Sequence, residues 1–187
     1  SMGGADASAG NPPHTGKIKV VIAYNDVVAG TRAMGVLNKL AARLGNEIDF
    51  VPIPWSFNLL DEVDWRAVAA SDAIKADILI LAVSSGGTMP SSVERWTKDV
   101  IEKKQGSTAA VVALFDTEQM PHGTFFSHLE TIEECVRRAG LSFYAPEPHS
   151  AMERTVAHLD ERAELITPVL EHILEEHDQH QGSRSQM

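Results

Sequence analysis

Hydrophobic residues along the chain follow two alternating patterns, short continuous runs and repeats at helical spacing. The runs at residues 17–24, 76–83 and 109–115 are mostly apolar and rich in β-branched residues, which is typical of strands buried on both faces of a parallel sheet. Residues 47–55 and 141–146 predict two further strands, and the two prolines in the former favour an edge position. The pattern therefore predicts five strands.

Apolar residues at helical spacing follow each predicted strand. The first helix is expected to end near Gly45, where a C-cap glycine belongs. Asp61 can cap a second helix that runs to about residue 75, with four inward positions, Val63, Ala67, Ala70 and Ile74. Similar stripes over residues 93–101 and 126–139 predict two more helices, and a long one is expected over residues 156–174.

This alternation predicts an α/β fold, a flavodoxin-like three-layer sandwich. Its five-stranded parallel sheet should have the order 2-1-3-4-5, with helices on both faces. We expect residues 17–179 to form this single domain. Residues 1–16 are expected to be a disordered arm that begins with an expression scar, and residues 180–187 a disordered tail. Ligands of such folds bind beyond the carboxyl ends of the strands, near the order reversal between strands 1 and 3.

The composition and charge of the chain argue against some classes of binding partner. The chain has 187 residues and a net charge of −10, which argues against nucleic acid and against an anionic membrane as partners. No apolar run approaches the roughly 18 residues that span a bilayer, and the first residues do not resemble a secretory signal. The single cysteine, Cys135, cannot form an internal disulfide, which fits a cytoplasmic location.

The loop after strand 1 contains a candidate phosphate site. Gly30 and Thr31 are expected to open the first helix, where free N–H groups and the helix dipole attract anions, and Arg32 would add positive charge. Asp26 would repel an anion at the same place. The alternative is an ordinary N-cap and turn, which remains open at this point.

The loop after strand 3 reads "SSGGTMP" and is unusually rich in small residues. Gly86 and Gly87 permit close backbone approach or positive φ, and Pro90 suits the first turn of the next helix. A flat ring system could stack over the loop and contact Ser84, Ser85 and Thr88. The alternative is a tight turn with a purely structural purpose. Replacing Gly87 by Ala should distinguish them, because a ring against the backbone would meet the new Cβ.

The loop after strand 4 supplies a third group of candidates. Asp116, Thr117, His122 and Gly123 are expected to face a ligand there, and Asp116 and His122 can also pair as acid and base with Glu118. The alternative is a solvated polar loop. We predict no metal site, because the histidines near the end of the chain lie among acidic residues that suit a solvated helix face.

The stretch "SSGGTMPSSVERWTKDVI" resembles the corresponding region of the NADPH-dependent FMN reductases of the flavodoxin-like superfamily. Pro90 and Val93 match the family's proline and leucine by spacing, and the order of elements is similar from residue 17 to about 179. The resemblance implies an oxidoreductase that binds FMN, with the phosphate at Gly30–Arg32 and the ring between the two later loops. It also implies hydride transfer from a nicotinamide and a homodimer.

The sequence departs from that family at the flavin-binding positions. Residues 85–87 replace the family's Glu-Tyr-Asn, and strand 1 lacks its Gly-Ser-x-Arg phosphate loop. The alternative function is therefore a non-catalytic interaction or small-ligand module that has lost the cofactor, and no catalytic side chain is predicted. If the phosphate site exists, FMN should bind better than riboflavin. Trp55, Phe57 and the last helix are expected to contribute to the dimer contact.

Overall fold

A computed structural model describes residues 16–45, 47–116 and 123–146. The strands in these ranges are β1 (Lys17–Tyr24), β2 (Asp49–Ser56), β3 (Ile78–Val83), β4 (Ala110–Phe115) and β5 (Ser142–Tyr144). The helices are α1 (Val27–Arg43), α2 (Phe57–Leu60), α3 (Val63–Lys75), α4 (Ser91–Lys103) and α5 (Gly123–Ala139). The predicted arm, the long helix over residues 156–174 and the tail lie outside the described residues.

The five strands form one parallel sheet in the order β2-β1-β3-β4-β5, so the predicted fold is confirmed. β1 pairs along its whole length with β2, from Lys17 opposite Asp49 to Tyr24 opposite Ser56. Its other edge pairs with β3 from Val20 opposite Ile78 onward. The chain therefore has the flavodoxin-like fold, and the strand order reverses between β1 and β3.

Helices cover both faces of the sheet. β3 and β4 are buried at every position, because each face packs against helices. One face packs against α1 through Ala29, Ala33, Val36, Leu37 and Leu40. The opposite face packs against α3, α4 and α5, with Trp96 and Phe125 among the largest side chains. No helix in the described ranges combines the length and apolar character that crossing a bilayer requires.

The edge strand β2 carries two prolines, as predicted, and its end lies in the core. Trp55 is 8% exposed and Phe57 is 3% exposed, and the indole N–H of Trp55 donates to Asp72 Oδ2 at 3.1 Å. These two aromatic residues therefore pack within the chain and are not free to form a dimer contact. The homodimer stays a prediction.

Helix α3 differs from its predicted phase. Its N-cap residue is Glu62 and not Asp61, whose carboxylate instead accepts from Ser92 Oγ at 2.9 Å. The fully buried residues are Ala69 and Ala73, while Ala70 and Ile74 pack partly against the core. The expected inward positions Val63 and Ala67 are wrong, because both are exposed. Small residues bring this helix close to the sheet, and the larger Val63 points away from it.

Candidate functional site

Polar residues follow the carboxyl ends of three neighbouring strands. Asn25 and Asp26 come directly after β1, Ser84 follows β3, and Asp116 follows β4. Parallel strands end at the same edge of a sheet, so the three loops meet beside the order reversal. This edge is the candidate functional site.

Asn25 and Ser84 join the first two loops. The Asn25 side-chain amide donates to Ser84 Oγ at 3.2 Å, and the Ser84 backbone N–H donates to Asn25 Oδ1 at 2.9 Å. The Asn25 backbone N–H donates to the Ala82 carbonyl at 3.1 Å and extends the pairing of β1 with β3. Ser84 is 6% exposed, so its hydroxyl is part of the structural frame of the site and not free for a ligand.

Asp26 caps helix α1. Its Oδ1 accepts from the Ala29 N–H at 2.9 Å, and its Oδ2 accepts from Ser84 Oγ at 2.5 Å. Burial acts to raise the pKa of Asp26. Hydrogen bonds from Ser84 and from the amides of Ala29 and Val28 outweigh it, together with the charge of Arg32, and the pKa lies below its ordinary value. The carboxylate is therefore ionised at neutral pH and occupies the positive end of the helix.

The predicted helix start at Gly30 and Thr31 is wrong. The helix begins at Val27, and the Gly30 N–H already donates to the Asp26 carbonyl at 3.0 Å. A Cβ on Gly30 would stand 3.3 Å from the ring of Tyr24, so this glycine permits a close contact within the chain. Thr31 is exposed on the first turns of the helix. The N–H groups that were expected to hold a phosphate are thus used by the protein itself.

Arg32 reaches toward the third loop. Its Nη2 lies 3.7 Å from Asp116 Oδ2, with the two side chains 20% and 16% exposed. Its Nη1 is buried and has no hydrogen-bond partner among the described residues. Asp26, Arg32 and Asp116 together carry two negative charges and one positive charge, so these three described residues have an excess of one negative charge.

The glycine-rich stretch forms a tight turn. The Gly87 N–H donates to the Ser84 carbonyl at 2.9 Å, and Gly86 has φ of +72°, as the third residue of a type II turn requires. A Cβ on Gly87 would lie 2.4 Å from Asn25 Nδ2 and 2.9 Å from the Ser84 carbonyl oxygen. The space beside Gly87 is therefore filled by the protein, and both glycines have a structural reason.

The rest of this loop leads into α4. Ser85, Gly86 and Thr88 are exposed at the candidate site, whereas Met89 is buried. Pro90 is the N-cap residue of α4, one position earlier than expected. Ser85 and Thr88 are the groups of this loop that remain available to a ligand.

The third loop is described only at its ends. Asp116 follows β4, and Gly123 is the first residue of α5. Thr117, Glu118 and His122 lie outside the described residues, so the proposed acid–base pairing is an untested prediction. Within the described ranges, no three His, Cys, Asp or Glu side chains are grouped so that they could hold a metal ion.

The sequence reasoning missed the central part played by Asn25 and Asp26. A signal was present, because an Asn-Asp pair directly after a buried strand is typical of a polar cluster at the carboxyl edge. The sequence alone relates Asp26 to repulsion of an anion and leaves open an ordinary N-cap and turn, and the structure bears out this second alternative. The structure shows the more specific reason, which is that the carboxylate serves as the helix cap.

The residues present do not fit the phosphate of FMN. The Ala29 and Gly30 amides are bonded to Asp26, and the nearest charges have a negative excess. A phosphate at this helix end would have to displace a carboxylate that is held by Ser84.

Solved structures are similar to this chain at low sequence identity. No protein-family model matches the chain, and no curated protein matches it. It is similar to the solved structure of a short-chain flavodoxin associated with a non-canonical PDU bacterial microcompartment. The identity is 18% and the TM-score 0.44, over 82% of this chain and 98% of that one. It is also similar to Smu.1420 from Streptococcus mutans UA159, at 16% identity and a TM-score of 0.42, over 79% and 97% of the two chains.

These similarities concern the fold alone. The flavodoxin-like assignment stands on the strand order of the sheet. The resemblance to NADPH-dependent FMN reductases stays a prediction, and the functional question turns on the residues at the carboxyl edge.

Proposed function

We propose that this chain is a non-catalytic flavodoxin-like domain that binds a small polar ligand at the carboxyl edge of its sheet and does not use FMN. The observation that carries the proposal is the cap on α1. The Asp26 carboxylate accepts the Ala29 N–H at 2.9 Å, at the helix end where a phosphate would bind. Fold alone does not decide function, so the proposal rests on this contact.

Charge supports the same conclusion. A phosphate monoester carries about −1.5 to −2 at neutral pH. It would approach two carboxylates, Asp26 and Asp116, that a single guanidinium, Arg32, does not balance. Because the pKa of Asp26 is lowered, its carboxylate does not become neutral to admit the phosphate.

The groups that remain available define the ligand. Thr31, Ser85 and Thr88 present exposed hydroxyls, and Arg32 Nη1 is a donor that needs an acceptor. A small molecule with hydroxyl or carbonyl groups and at most one negative charge matches these partners. We infer that it lies across the first two loops, which Asn25 and Ser84 hold together.

A second candidate is the flavin-binding oxidoreductase that uses a nicotinamide, and one observation favours it. The unpaired Nη1 of Arg32 can donate to a flavin oxygen or to a phosphate. On this reading the Asp26 cap opens when the cofactor binds, and FMN is preferred over riboflavin.

A flavin titration decides between the two. FMN and riboflavin are added separately to the purified protein while the quenching of flavin fluorescence is measured. We expect FMN to bind no more tightly than riboflavin, because the phosphate gains no contact. A clear preference for FMN would overturn the proposal and support the second candidate.

A substitution at the cap tests the cause directly. Asp26→Ser keeps an N-cap side chain and removes the charge, so it should raise FMN affinity above that of the unmodified protein. Asp64→Ser is the control, since it makes the same charge change in the first turn of α3. If FMN affinity does not rise in Asp26→Ser, or rises equally in both variants, the carboxylate cap is not what excludes the phosphate.

A further inference from the structure

A groove runs along the outer surface between helices α3 and α4. Its volume is about 450 Å³, and its α3 wall presents small or apolar residues, Val63, Ala67, Ala70 and Ile74. Val63 is 73% exposed, which is high for a valine on a helix that packs against a core. The groove lies between two helices, and none of its lining residues belongs to the candidate ligand site.

The walls of the groove are fixed at both ends. The Trp96 indole N–H donates to the Arg66 carbonyl at 3.2 Å, and Ser92 Oγ donates to Asp61 Oδ1 at 2.9 Å. At the other end, Lys104 Nζ donates to the Ala73 and Ile74 carbonyls, both at 2.9 Å. A surface held in this way loses little conformational freedom when a partner binds.

The α4 wall carries a charge pattern of positive, negative and positive. Arg95, Asp99 and Lys103 follow one another at four-residue spacing and all line the groove. In the described part of the chain, none of the three side chains forms an ion pair with another residue. Arg66 lines the groove as well, which gives three positive charges and one negative on a chain of net charge −10.

We propose that this groove docks an amphipathic helix of a partner protein. The helix would present large apolar residues to α3 and a complementary stripe of acidic, basic and acidic residues, four apart, to α4. Ala67 and Ala70 allow a close approach, and a helix fits between two neighbouring helices by ridge-into-groove packing. Electrostatic complementarity then selects the register and the partner.

The test uses two synthetic helical peptides of about 20 residues, long enough to form a helix on binding. Both carry the same leucine face, and their flanking stripes read Glu-x3-Lys-x3-Glu or Lys-x3-Glu-x3-Lys. Charges on the far face make their net charges equal. Affinity for the full chain is measured by fluorescence anisotropy, and we expect the first peptide to bind about tenfold more tightly.

A charge-swapped variant of the protein provides the decisive comparison with the unmodified chain. The triple variant Arg95→Glu, Asp99→Lys, Lys103→Glu should reverse the peptide preference. Lys17→Glu changes the net charge by the same −2 outside the groove and should leave the preference unchanged. Circular dichroism checks that each variant is folded.

Three results would overturn the proposal. In the first, the unmodified chain binds neither peptide or binds both equally. In the second, the triple variant keeps the original preference. In the third, light scattering shows that the chain self-associates and that the triple variant alone is monomeric, which would assign the groove to a second copy of this chain.

Discussion

The buried cationic side chains at the two ends of the sheet differ in their hydrogen-bond partners. At the amino end, Lys104 is 4% exposed, and its Nζ donates to the carbonyls of Ala73, Ile74 and Ala76 at 2.9, 2.9 and 2.5 Å. At the carboxyl end, Arg32 has one nitrogen 3.7 Å from Asp116 and another that is buried and finds no partner in the described part of the chain. The Lys104 amino group therefore has three hydrogen-bond acceptors, whereas Arg32 has one donor, Nη1, without an acceptor among the described residues.

This difference in hydrogen bonding suggests different roles for the two ends of the sheet. A buried amino group whose donors are all used supplies hydrogen bonds to the surrounding carbonyls, and it offers nothing to a ligand. A buried donor without a partner costs free energy, so it persists where a ligand or a conformational change can satisfy it. We therefore propose that the amino end serves stability and the carboxyl end serves binding. The predictions below test that assignment, from the largest expected effect to the smallest.

Lys104→Met should have the largest effect on stability. The substitution keeps the apolar stem but leaves the carbonyl oxygens of Ile74 and Ala76 without this donor, whereas the Ala73 carbonyl still accepts from the Ala76 N–H. The free energy of unfolding should therefore fall by about 3 kcal/mol. Chemical denaturation measures it, and Lys103→Met, at the exposed neighbouring position, is the control, with an expected change below about 0.5 kcal/mol. Equal effects of the two substitutions would show that the amino end is not a special source of stability.

The same lysine should make stability depend on pH. Burial lowers the pKa of Lys104 to about 8, against the opposing charge of Asp77. Between pH 8 and the ordinary lysine value of 10.5, the unfolded chain holds the proton and the folded chain releases it. The free energy of unfolding should thus rise with pH in this window, by up to about 3 kcal/mol. Denaturation curves at several pH values should show this rise in the unmodified chain and not in Lys104→Met.

Gly87→Ala should destabilise the carboxyl end. The new Cβ would clash with Asn25 Nδ2, Val83 Cγ1 and the Ser84 carbonyl, at a cost of about 2 kcal/mol. Gly86→Ala should cost about 1 kcal/mol, because the site is open and only the positive φ is unfavourable. Thermal melts of both variants would test the order, and a larger loss for Gly86→Ala would contradict this account of the turn.

Ser84→Ala should have a smaller effect on stability than Gly87→Ala. It removes the hydroxyl that donates to Asp26 and accepts from Asn25, for an expected loss of about 1.5 kcal/mol. Ser85→Ala, one residue away and exposed, should change the free energy of unfolding by less than about 0.5 kcal/mol. A loss in Ser84→Ala as large as in Lys104→Met would mean that the carboxyl end is as important to stability as the amino end.

Sequence patterns were sufficient for the sheet and insufficient for the site. The apolar runs at β1, β3 and β4 have no other good explanation than buried strands, and right-handed connections then leave few strand orders. The prolines of β2 likewise located the edge, as observed. The strands and their order each depend on many residues at once, so an error at one residue does not change the prediction.

The site depends on single side chains and their partners. Whether α1 begins at Val27 or at Gly30 is decided by one hydrogen bond from Ala29 to Asp26, which no periodicity reveals. Lys104 follows a helix end, where a lysine is ordinarily solvated, and its burial depends on the position of α3, which is distant in sequence. The space beside Gly87 is likewise filled by Asn25 from another strand end. Such contacts exist only once the chain has folded.

The edges of the sheet have a consequence for how this protein can associate. Pro52 and Pro54 offer no N–H to a further strand alongside β2, and β5, at the opposite edge of the described sheet, is only three residues long. Both edges are thus poor templates for cross-β aggregation or for strand exchange between copies. Recognition of this domain by addition of a strand is therefore disfavoured at both described edges, and its helices and loops are the surfaces better suited to a partner.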